Sequence, residues 1–366
     1  MVHALPFSIG EPGPLMSALL PSIEEAIRLG LEETRAVVAA AAPEATLLAD
    51  ELERAVLAGG KRLRPVLCVL AHGAAGGTAG TEILQAAAAL ELLHAFALVQ
   101  DDVMDRAETR RGATALHRRL AASPALPPGA GESAGVVAAL LVADLALLAA
   151  DRLLDECGFP PERILAARGE YDRARLDAVA GQFLDVVLPA DPSLDEAGAE
   201  RIGALKSGRY SVEGPVLVGV ALAPGGGPAR AALARYAAAL GRAFQIRDDV
   251  LGAFAGPELT GKDGGADLRH GKRTVVLTKT LLRATVAERR FLEARVGTSG
   301  LTDGEVEQVR EVMSDSGALA ETLTAIDALI AEAVAALDGA PLAPGAAAGL
   351  AELAEGLRLT PTRPTG

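Results

Sequence analysis

The chain has 366 residues and a formal net charge of −13, and apolar side chains stand at half of its positions, although only 3% of its residues are aromatic. A chain of this length can bury a large core, in one large domain or in two. Its acidic balance argues against a nucleic-acid-binding protein, because phosphate backbones are bound by basic surfaces, so no nucleic-acid partner is predicted. An anionic substrate is still compatible with this charge if cations are concentrated in one place.

Cysteine content and the apolar runs bear on the compartment. The two cysteines, Cys68 and Cys157, lie in apolar surroundings and do not make a disulfide framework. Residues 1–14 lack the charged start and continuous apolar stretch of a secretory leader. The runs 83–99 and 134–150 approach transmembrane length, but each carries ionisable residues and is better explained as a central helix of a bundle. We therefore expect a cytoplasmic protein with no transmembrane segment.

Helix-forming residues run almost from end to end, and no segment alternates convincingly with a period of two. Loops are predicted at 124–131 and 256–270, and Pro215 is expected to kink its helix. The breakers between segments predict helices at 15–40, 44–58, 62–75, 80–105, 109–122, 132–157, 160–187, 194–223 and 229–255, and then four shorter helices up to about 358.

No repeat period or linker divides the chain. Helices that each bury one face are stable only when they pack around a shared core. We therefore predict an all-α fold, with one large helical domain at 15–358 and flexible ends at 1–14 and 359–366.

A basic group opens the third predicted helix. Lys61 and Arg64 belong to the run GGKRLRP at 59–65 and stand three residues apart, so both side chains can point the same way. The N-terminus of a helix itself favours anions. In a chain of net negative charge, this concentration of cations predicts an anion-binding site.

The next helix ends in the first acidic cluster, which comprises Asp101, Asp102 and Asp105. Asp101 and Asp105 lie one turn apart on one face, where like charges repel and would be costly against an apolar core. A bridging Mg²⁺ removes this conflict, because it binds carboxylate oxygens together with water and phosphate. A solvated helix end is the plain alternative. The apolar run before the cluster and the cations Arg110 and Arg111 after it favour the metal site.

His94 lies seven residues before Asp101, on nearly the same face of the helix. A single histidine on an apolar face is more often a core residue with satisfied hydrogen bonds. Because metal-binding carboxylates are predicted on the same stripe, we favour a ligand-binding role for His94.

Two further polar groups stand on later helices. Gln182 and Asp185 are close to one turn apart near the end of one helix, and Lys206 and Arg209 lie on the next. Taken singly, each is better explained as a surface cation or as a buried amide bonded to the backbone.

The second acidic cluster, Asp248 and Asp249, ends an alanine-rich helix, with Gln245 one turn before Asp249. The loop after it contains glycines together with Lys262 and Lys272. Such a loop can close over an anion, with backbone N–H groups and lysines acting together. Two carboxylate clusters surrounded by cations predict divalent metal ions that in turn hold a pyrophosphate.

These motifs together identify a family resemblance. Over roughly residues 45–340, the chain resembles trans-isoprenyl diphosphate synthases, the polyprenyl synthetase family, and is most like the geranylgeranyl diphosphate synthases of bacteria. The resemblance implies a single helical bundle around a central apolar cavity, and a homodimer. It rests, in chain order, on GGKRLRP at 59–65, ELLHAFALVQDDVMD at 91–105, TRRG at 109–112, GQFLD at 181–185, KSGRY at 206–210, FQIRDD at 244–249 and DLRHGKRT at 267–274.

For single residues, the resemblance implies two diphosphate sites. The diphosphate of isopentenyl diphosphate would be bound by four side chains, Lys61, Arg64, His94 and Arg111. The diphosphate of an allylic substrate (dimethylallyl, geranyl or farnesyl diphosphate) would be contacted by Arg110, Lys206 and Lys262, while Lys272 would help to close the loop. The carbocation would be steadied by the oxygens of Ser207 and Gln245.

The implied cofactor is Mg²⁺, with three ions per active site, and Mn²⁺ could replace it. Asp101 and Asp105 would hold two ions on the allylic diphosphate, and Asp248 the third, with Asp249 in support. The metal shell would be backed by Asp102, Gln182 and Asp185.

Two positions depart from the family pattern. The second cluster of the family usually ends in a third Asp, where this chain has Gly252. Since Asp248 alone can supply a carboxylate to a metal, activity is expected to survive this change. The residue before Asp101 is Gln100, where many members have His, and this change has no physical explanation. The loop at 124–131 is explained most simply as a tolerated surface insertion.

The implied activity is a head-to-tail condensation. An allylic diphosphate ionises, the double bond of isopentenyl diphosphate attacks the cation, and a proton is lost. The growing chain would run down an apolar tunnel below Asp101, where Phe96 is bulky and Ala97 is small. A single aromatic plug predicts geranylgeranyl diphosphate (C20), with farnesyl diphosphate or a longer polyprenyl diphosphate as alternatives. Plain core packing is the other explanation of Phe96.

Two other functions share parts of this pattern. A class I terpene cyclase also uses an acidic motif with Mg²⁺, but it needs Asn, Ser and Glu on a later helix, where this chain has Gly252 and Gly256. It also has no use for the basic run at 59–65. A non-catalytic regulatory subunit of another prenyl synthase would not need intact Asp101 and Lys61. Both are less favoured than the synthase.

Overall fold

Helices make up most of the described chain. The computed structural model describes residues 7–8, 13–126, 129, 131–187, 195–256, 265–298 and 300–361. A π-helical segment, Ala204–Glu213, joins α8 to α9, and the predicted all-α fold is confirmed. The helices, in chain order, are α1 (Pro14–Ala41), α2 (Thr46–Leu57), α3 (Leu63–Ala74), α4 (Thr81–Met104), α5 (Leu116–Ala121), α6 (Gly131–Asp155), α7 (Pro161–Val187), α8 (Glu196–Gly203), α9 (Gly214–Leu222), α10 (Gly226–Phe254), α11 (Ala266–Arg269), α12 (Val275–Arg283), α13 (Val286–Arg295), α14 (Asp303–Asp315), α15 (Ala318–Ala335) and α16 (Pro344–Glu355).

Two small antiparallel strand pairs accompany the helices in the described chain. Their strands are β1 (Phe7–Ser8), β2 (Thr109–Arg110), β3 (Ala113–Thr114) and β4 (Thr360–Pro361). β1 pairs with β4, so these two segments near the chain ends lie together, and β2 pairs with β3 in a hairpin. Strands of two residues are too short to give an alternating pattern in the sequence. The division into a domain at 15–358 with flexible ends stays a prediction.

The core is arranged around α4, which packs against α1, α3 and α6. Its run of four alanines, 86–89, is fully buried, and such small side chains let neighbouring helices approach closely. Cys68 and Cys157 are both buried and free, as predicted. α4 therefore runs through the middle of the bundle and presents the first acidic cluster at its C-terminal end.

Two described helices, α4 and α6, are long and apolar enough to cross a membrane by length and composition. Most of the apolar stretch of α4 is buried, and a core helix passes the same test. Less than half of the corresponding stretch of α6 is buried, and Val137, Leu141 and Leu148 on it are exposed. Core packing explains α4, whereas the exposed face of α6 needs a further explanation.

The described residues after 270 contain five helices, α12 to α16, where four were predicted. α13 and α14 each begin with a capping box, formed by Thr285 with Glu288 and by Thr302 with Glu305. In each box the threonine hydroxyl accepts from the glutamate N–H, and the glutamate side chain accepts from the threonine N–H. These two Thr-x-x-Glu signals mark separate helix starts, and the predicted number of helices was one too low for the described residues.

The predicted helix at 194–223 is close to correct in extent but not in shape. α8, the π segment and α9 follow one another without a break. Pro215 lies in the first turn of α9, and the irregularity is the π segment before it rather than a kink at the proline. The wider turns of the π segment carry Lys206, Ser207 and Tyr210.

The π segment and α10 touch backbone to backbone. A Cβ at Gly208 would lie 2.8 Å from the carbonyl oxygen of Gly241, and one at Gly241 would lie 2.9 Å from that of Gly208. Only glycine allows this approach. The contact therefore sets the spacing between the element that carries Lys206 and the helix that carries Asp248.

Candidate active site

The first acidic cluster lies at the C-terminal end of α4, with Asp101 and Asp102 in its last turn and Asp105 as its capping residue. The side chains of Asp101 and Asp105 are each 18% exposed, and that of Asp102 is 5% exposed. A helix C-terminus carries a partial negative charge of its own, so three carboxylates there are unfavourable without cations. The local structure therefore demands positive charge at this point.

A tight hairpin brings one such cation to the cluster. β2 and β3 are joined by Arg111 and Gly112, which have positive φ angles of 51° and 74°, as in a type I′ turn. Arg110 donates from Nε to Oδ1 of Asp102 over 2.7 Å, and its Nη2 also contacts Asp102 and lies 3.3 Å from Oδ2 of Asp101. The helix predicted at 109–122 is wrong here, because left-handed residues interrupt a helix, and α5 starts only after the hairpin.

The π segment brings a second cation to the same cluster. The Nζ of Lys206 lies 2.5 Å from Oδ2 of Asp185 and 3.4 Å from Oδ1 of Asp101. A Cβ at Gly181 would lie 2.2 Å from the backbone nitrogen of Lys206, so glycine lets α7 touch the π segment. Acids from two helices thereby share one ammonium group. The Nε2 of Gln182 lies 3.5 Å from Oδ1 of Asp101, on the same side of the cluster.

The second acidic cluster lies on α10. Asp249 accepts a 2.7 Å hydrogen bond from Nε2 of Gln245. Burial, followed by the charge of Asp267, raises the pKa of Asp249 to about 8. The surrounding protein also raises the pKa of Asp248, although its side chain is 45% exposed. Burial is the largest cause of both raised pKa values, and for Asp248 it outweighs the charges of Arg247, Arg64 and Lys61, which lower the pKa.

Lys272 connects the two clusters. Its Nζ lies 3.3 Å from Oδ2 of Asp105 and 3.5 Å from Oδ1 of Asp267, and the Asp267 carboxylate lies beside Gly252 on α10. Burial lowers the pKa of the Lys272 ammonium, but the charges of Asp267 and Asp105 outweigh burial and raise it. An ammonium group held between acids of both walls means that the two clusters face a common space.

Among the residues that the structure describes, no three carboxylate, imidazole or thiolate groups form a metal site by themselves. This suits Mg²⁺, which is usually held by one or two carboxylates and completes its shell with water and phosphate. Asp101, Asp105 and Asp248 supply oxygen ligands of this kind, and lysine ammonium groups lie close to the first cluster. The donor set therefore fits divalent cations that are shared with a phosphate-bearing ligand.

A group of basic residues lies beside the second cluster. Arg64 donates from Nη2 to Oγ of Ser211 over 2.5 Å, and its guanidinium carbon lies 4.6 Å from the centre of the Tyr210 ring. The Nδ1 of His94 lies 3.1 Å from Oη of Tyr210. Burial, and then the charges of nearby arginines, hold the pKa of His94 well below its usual range, so its imidazole is neutral.

The same group contains cations that are incompletely paired: Nη1 of Arg247 lies 3.5 Å from Oδ1 of Asp248, but other guanidinium nitrogens lack acceptors among the described residues. Burial lowers the pKa of both Lys61 and Arg111, and neighbouring arginines lower it further. Arg247 is 3% exposed, and its Nε and Nη2 have no hydrogen-bond partner in the described chain, nor has Nε of Arg64. Buried guanidinium groups that lack acceptors are expected where an anion binds. The sequence motifs had assigned Arg247 no role.

Arg62 holds the basic run in place, and this role was also missed from the sequence. Its φ is 49°, in the left-handed region, and its side chain is 1% exposed. Its Nη1 lies 2.6 Å from Oε1 of Glu91, its Nε lies 2.7 Å from Oε1 of Glu24, and its Nη2 donates to the carbonyl of Val56. The available signal was Glu91, an acid within an apolar stretch of α4. Because Arg62 is held by these partners, it anchors the basic run, and Lys61 and Arg64 on either side of it can contribute to the site.

The remaining predicted polar residues are Arg209, Ser207 and Lys262. Arg209 pairs with Asp177 at 3.3 Å on the protein surface, so the structure does not bring it to the clusters. Ser207 is half-buried on the π segment, next to Lys206. Lys262 lies outside the described residues, and its role stays a prediction.

Comparison with known proteins agrees with this geometry. The polyprenyl synthetase family model matches residues 45–313. A geranylfarnesyl diphosphate synthase of Aeropyrum pernix is 31% identical over 265 residues, which cover 72% of this chain and 78% of that protein. A (2E,6E)-farnesyl diphosphate synthase of Mycobacterium tuberculosis is 34% identical over 266 residues, which cover 70% of this chain and 68% of that protein.

A solved structure has the same fold. The geranylgeranyl pyrophosphate synthase of Corynebacterium glutamicum, complexed with isoprenyl diphosphate and magnesium, matches with a TM-score of 0.86 and 30% sequence identity, over 92% of this chain and 97% of that one. The motifs, the helical fold and the facing acidic clusters thus agree with the family match. The chain belongs to the polyprenyl synthetase family and is a prenyltransferase.

Proposed function

We propose that this enzyme is a Mg²⁺-dependent synthase that condenses isopentenyl diphosphate head-to-tail with allylic diphosphates and makes geranylgeranyl diphosphate (C20). The observation that carries the proposal is a pair of lysines, Lys206 and Lys272, whose ammonium groups each lie between an acid of the first cluster and an acid of another helix, Asp185 or Asp267. Cations interleaved with acids can bind a diphosphate directly and through metal. The basic group around Arg64 offers a second anion site beside them.

The allylic diphosphate would lie between the two acidic clusters. When bound, three Mg²⁺ held by Asp101, Asp105 and Asp248 would act as Lewis acids on the leaving diphosphate. Lys206 and Arg110 would donate to the same oxygens as their negative charge grows. Both cations are already fixed by ion pairs with the first cluster, so little reorganisation is needed when the C–O bond breaks.

The allylic cation that forms needs neutral oxygen atoms beside it rather than carboxylates. The Nε2 of Gln245 donates to Asp249, and its Oε1 is buried with no hydrogen-bond partner in the described chain. This oxygen, together with the hydroxyl of Ser207 on the π segment, would steady the positive charge. Closure of the loop that carries Lys272 would exclude water, which would otherwise quench the cation.

Isopentenyl diphosphate would be held by Lys61, Arg64 and Arg111. Because His94 is neutral, Oη of Tyr210 can donate to its Nδ1, which leaves Nε2–H to donate to a phosphate oxygen. These contacts would hold the double bond next to the allylic cation. Its attack forms the new C–C bond, and the proton then lost would pass to the departing diphosphate.

The proposal of a C20 product is based on the residues of α4 that precede the first cluster. Phe96 and Ala97, five and four residues before Asp101, are half-buried, so neither is fully packed into the core. Similarity does not decide the length, since the matched proteins are named as geranylfarnesyl, farnesyl and geranylgeranyl synthases. A phenylalanine at this depth would stop the growth of the prenyl chain at an intermediate length.

Product analysis tests both the activity and the plug. Wild-type enzyme with Mg²⁺, labelled isopentenyl diphosphate and each of the three shorter primers should give a C20 end product. Phe96→Ala should lengthen the product by at least one isoprene unit, because one helix turn of about 5.4 Å spans roughly one such unit. Phe291→Ala, which changes a partly buried ring on α13, is the matched control and should still give C20. Chromatography of the dephosphorylated products measures the length.

The outcomes separate the parts of the proposal. An unchanged product length in Phe96→Ala would remove the plug but not the activity. A C15 or C25 product from the wild type would correct the chain length. A cyclic hydrocarbon, or no product from any primer, would contradict the proposed function itself.

We also propose that the enzyme is a homodimer joined through α6 and α7. A surface with this many exposed apolar side chains indicates an interface, and a second copy of the same patch can cover it across a two-fold axis. Such an interface would also explain why α6 is apolar enough to resemble a membrane span. We therefore propose that the enzyme is located in the cytoplasm. The exposed apolar residues are Val137, Leu140, Leu141 and Leu148 on α6, and Leu165, Leu176, Val179, Phe183, Val186 and Val187 on α7.

The double variant Leu141→Glu/Leu148→Glu should dissociate this dimer, because it would bury carboxylates in an apolar interface. Sedimentation velocity should give a dimer for the wild type and a monomer for the double variant. Leu282→Glu on α12 is the matched control, since Leu148 and Leu282 are both 67% exposed, and it should leave the dimer intact. A monomeric wild type, or a double variant that stays dimeric, would exclude this interface.

A further inference from the structure

The two acidic clusters share a spacing but not a composition. The first, at 101–105, has acids at its first, second and fifth positions. The second, at 248–252, has acids at its first two positions and Gly252 at the fifth. One carboxylate is therefore missing from α10, on the wall that faces the first cluster.

Asp267 of α11 fills the space beside Gly252. A Cβ at position 252 would lie 1.9 Å from Oδ2 of Asp267 and 2.9 Å from its Cγ. Non-bonded atoms cannot approach so closely, so no side chain at position 252 is compatible with Asp267 in its present place. The Asp267 carboxylate, which comes from α11, therefore occupies the space that a side chain at position 252 would need.

Asp267 also faces the first acidic cluster across the cleft. Asp267 and Asp105 hold the Lys272 ammonium between them, at 3.5 and 3.3 Å. Asp105 is the fifth-position acid of the first cluster, so Asp267 is its counterpart across the cleft. The Lys272 N–H donates to the Asp267 carbonyl over 3.0 Å, which fixes the turn that presents both side chains.

We propose that Asp267 is the third carboxylate of the second cluster, in place of the side chain that Gly252 lacks, and that it binds a divalent cation together with Asp248. This inference rests on the proposed function. The ligand is a hard cation that carries a diphosphate, and Asp267 becomes available to it when Lys272 turns from the acids to the phosphate.

Because a side chain at position 252 and the Asp267 carboxylate in its present place exclude each other sterically, the carboxylate can be relocated as a test. Asp267→Ala removes it, and Asp267→Asn keeps the shape and an oxygen for Lys272 but removes the charge. Gly252→Asp/Asp267→Ala returns a carboxylate to the fifth position, into the space that the truncation opens. The measurement is Mn²⁺ binding in the presence of inorganic pyrophosphate, followed by electron paramagnetic resonance without any allylic substrate.

Asp267→Ala and Asp267→Asn should each weaken the affected Mn²⁺ site by about 10- to 100-fold, and the double variant should recover most of that loss. Asp303→Ala, which removes an acid that is 97% exposed and pairs with Arg269, is the control and should bind like the wild type. Thermal unfolding checks that the variants are folded, and Asp267→Asn provides the decisive comparison if the alanine variant is not.

If Asp267→Asn binds Mn²⁺ as tightly as the wild type, the proposal is overturned, and Asp267 serves only to hold Lys272 in place. A double variant that binds no better than a folded Asp267→Ala would overturn it too. Failure of the proposed function has a different signature, because the wild type itself would then form no prenyl product.

Discussion

Asp101→Asn should lower kcat by on the order of 10³-fold or more while leaving the fold intact. Metal-assisted stabilisation of a leaving group is worth several kcal/mol, and about 1.4 kcal/mol corresponds to a factor of ten in rate. The fold should survive, because Asp101 lies with Asp102 and Asp105 at a helix C-terminus, where the loss of one negative charge relieves repulsion. Steady-state kinetics at saturating Mg²⁺ and thermal unfolding measure the two effects.

Asp177→Asn is the matched control for this experiment. Asp177 also pairs with an arginine, Arg209, at 3.3 Å, but this pair lies on the surface and outside the site. The control should change neither kcat nor stability. Activity of Asp101→Asn within tenfold of the wild type would contradict the role of the first cluster in metal binding.

Arg62→Met should lower the free energy of unfolding by about 3–5 kcal/mol, because it leaves the carboxylate of Glu91 buried without its partner. The Arg62 and Glu91 side chains are only 1% and 5% exposed, so water cannot replace the lost contacts without local opening. The same change should raise KM for isopentenyl diphosphate, since the anchored residue lies between Lys61 and Arg64. Urea unfolding and initial rates at varied isopentenyl diphosphate are the measurements.

Two further variants give this prediction its controls. Arg54→Met breaks a pair with Glu51 in which the arginine is 61% exposed, and it should cost no more than about 1 kcal/mol. Arg62→Met/Glu91→Leu removes both buried charges and should regain much of the stability lost by the single change. A loss of less than about 1 kcal/mol in Arg62→Met would mean that the basic run is not anchored by this pair.

The sequence was most informative where the chemistry requires charged residues at helical spacing. Asp101 and Asp105 could be placed on one face from the helix period alone, and the structure puts both at the end of α4. Lys206 and Lys272 could be connected with the acids only through the family motifs. Their contacts depend on the packing of α7, α10 and the π segment, which no local pattern reveals.

The parts that were missed depend on backbone detail or on distant residues. The turn at Arg111 and Gly112 is too short to interrupt a helical pattern visibly, yet it replaces the predicted helix by a hairpin. Arg62 resembled its basic neighbours, although its partners lie on three other helices. Gly252 could only be recognised as a departure, because the residue that fills its space comes from a separate helix.

The contact between Gly208 and Gly241 has a consequence for how such an enzyme can diversify. Where two backbones touch, no side chain can be enlarged without separating them, so the spacing between the π segment and α10 is fixed at this contact. The proposed hydrocarbon end differs, because Phe96 is only half-buried and a change of its size there would not need two backbones to separate. Under the proposed function, redesign for a new hydrocarbon length would therefore start at Phe96 and leave the contact between the π segment and α10 unchanged.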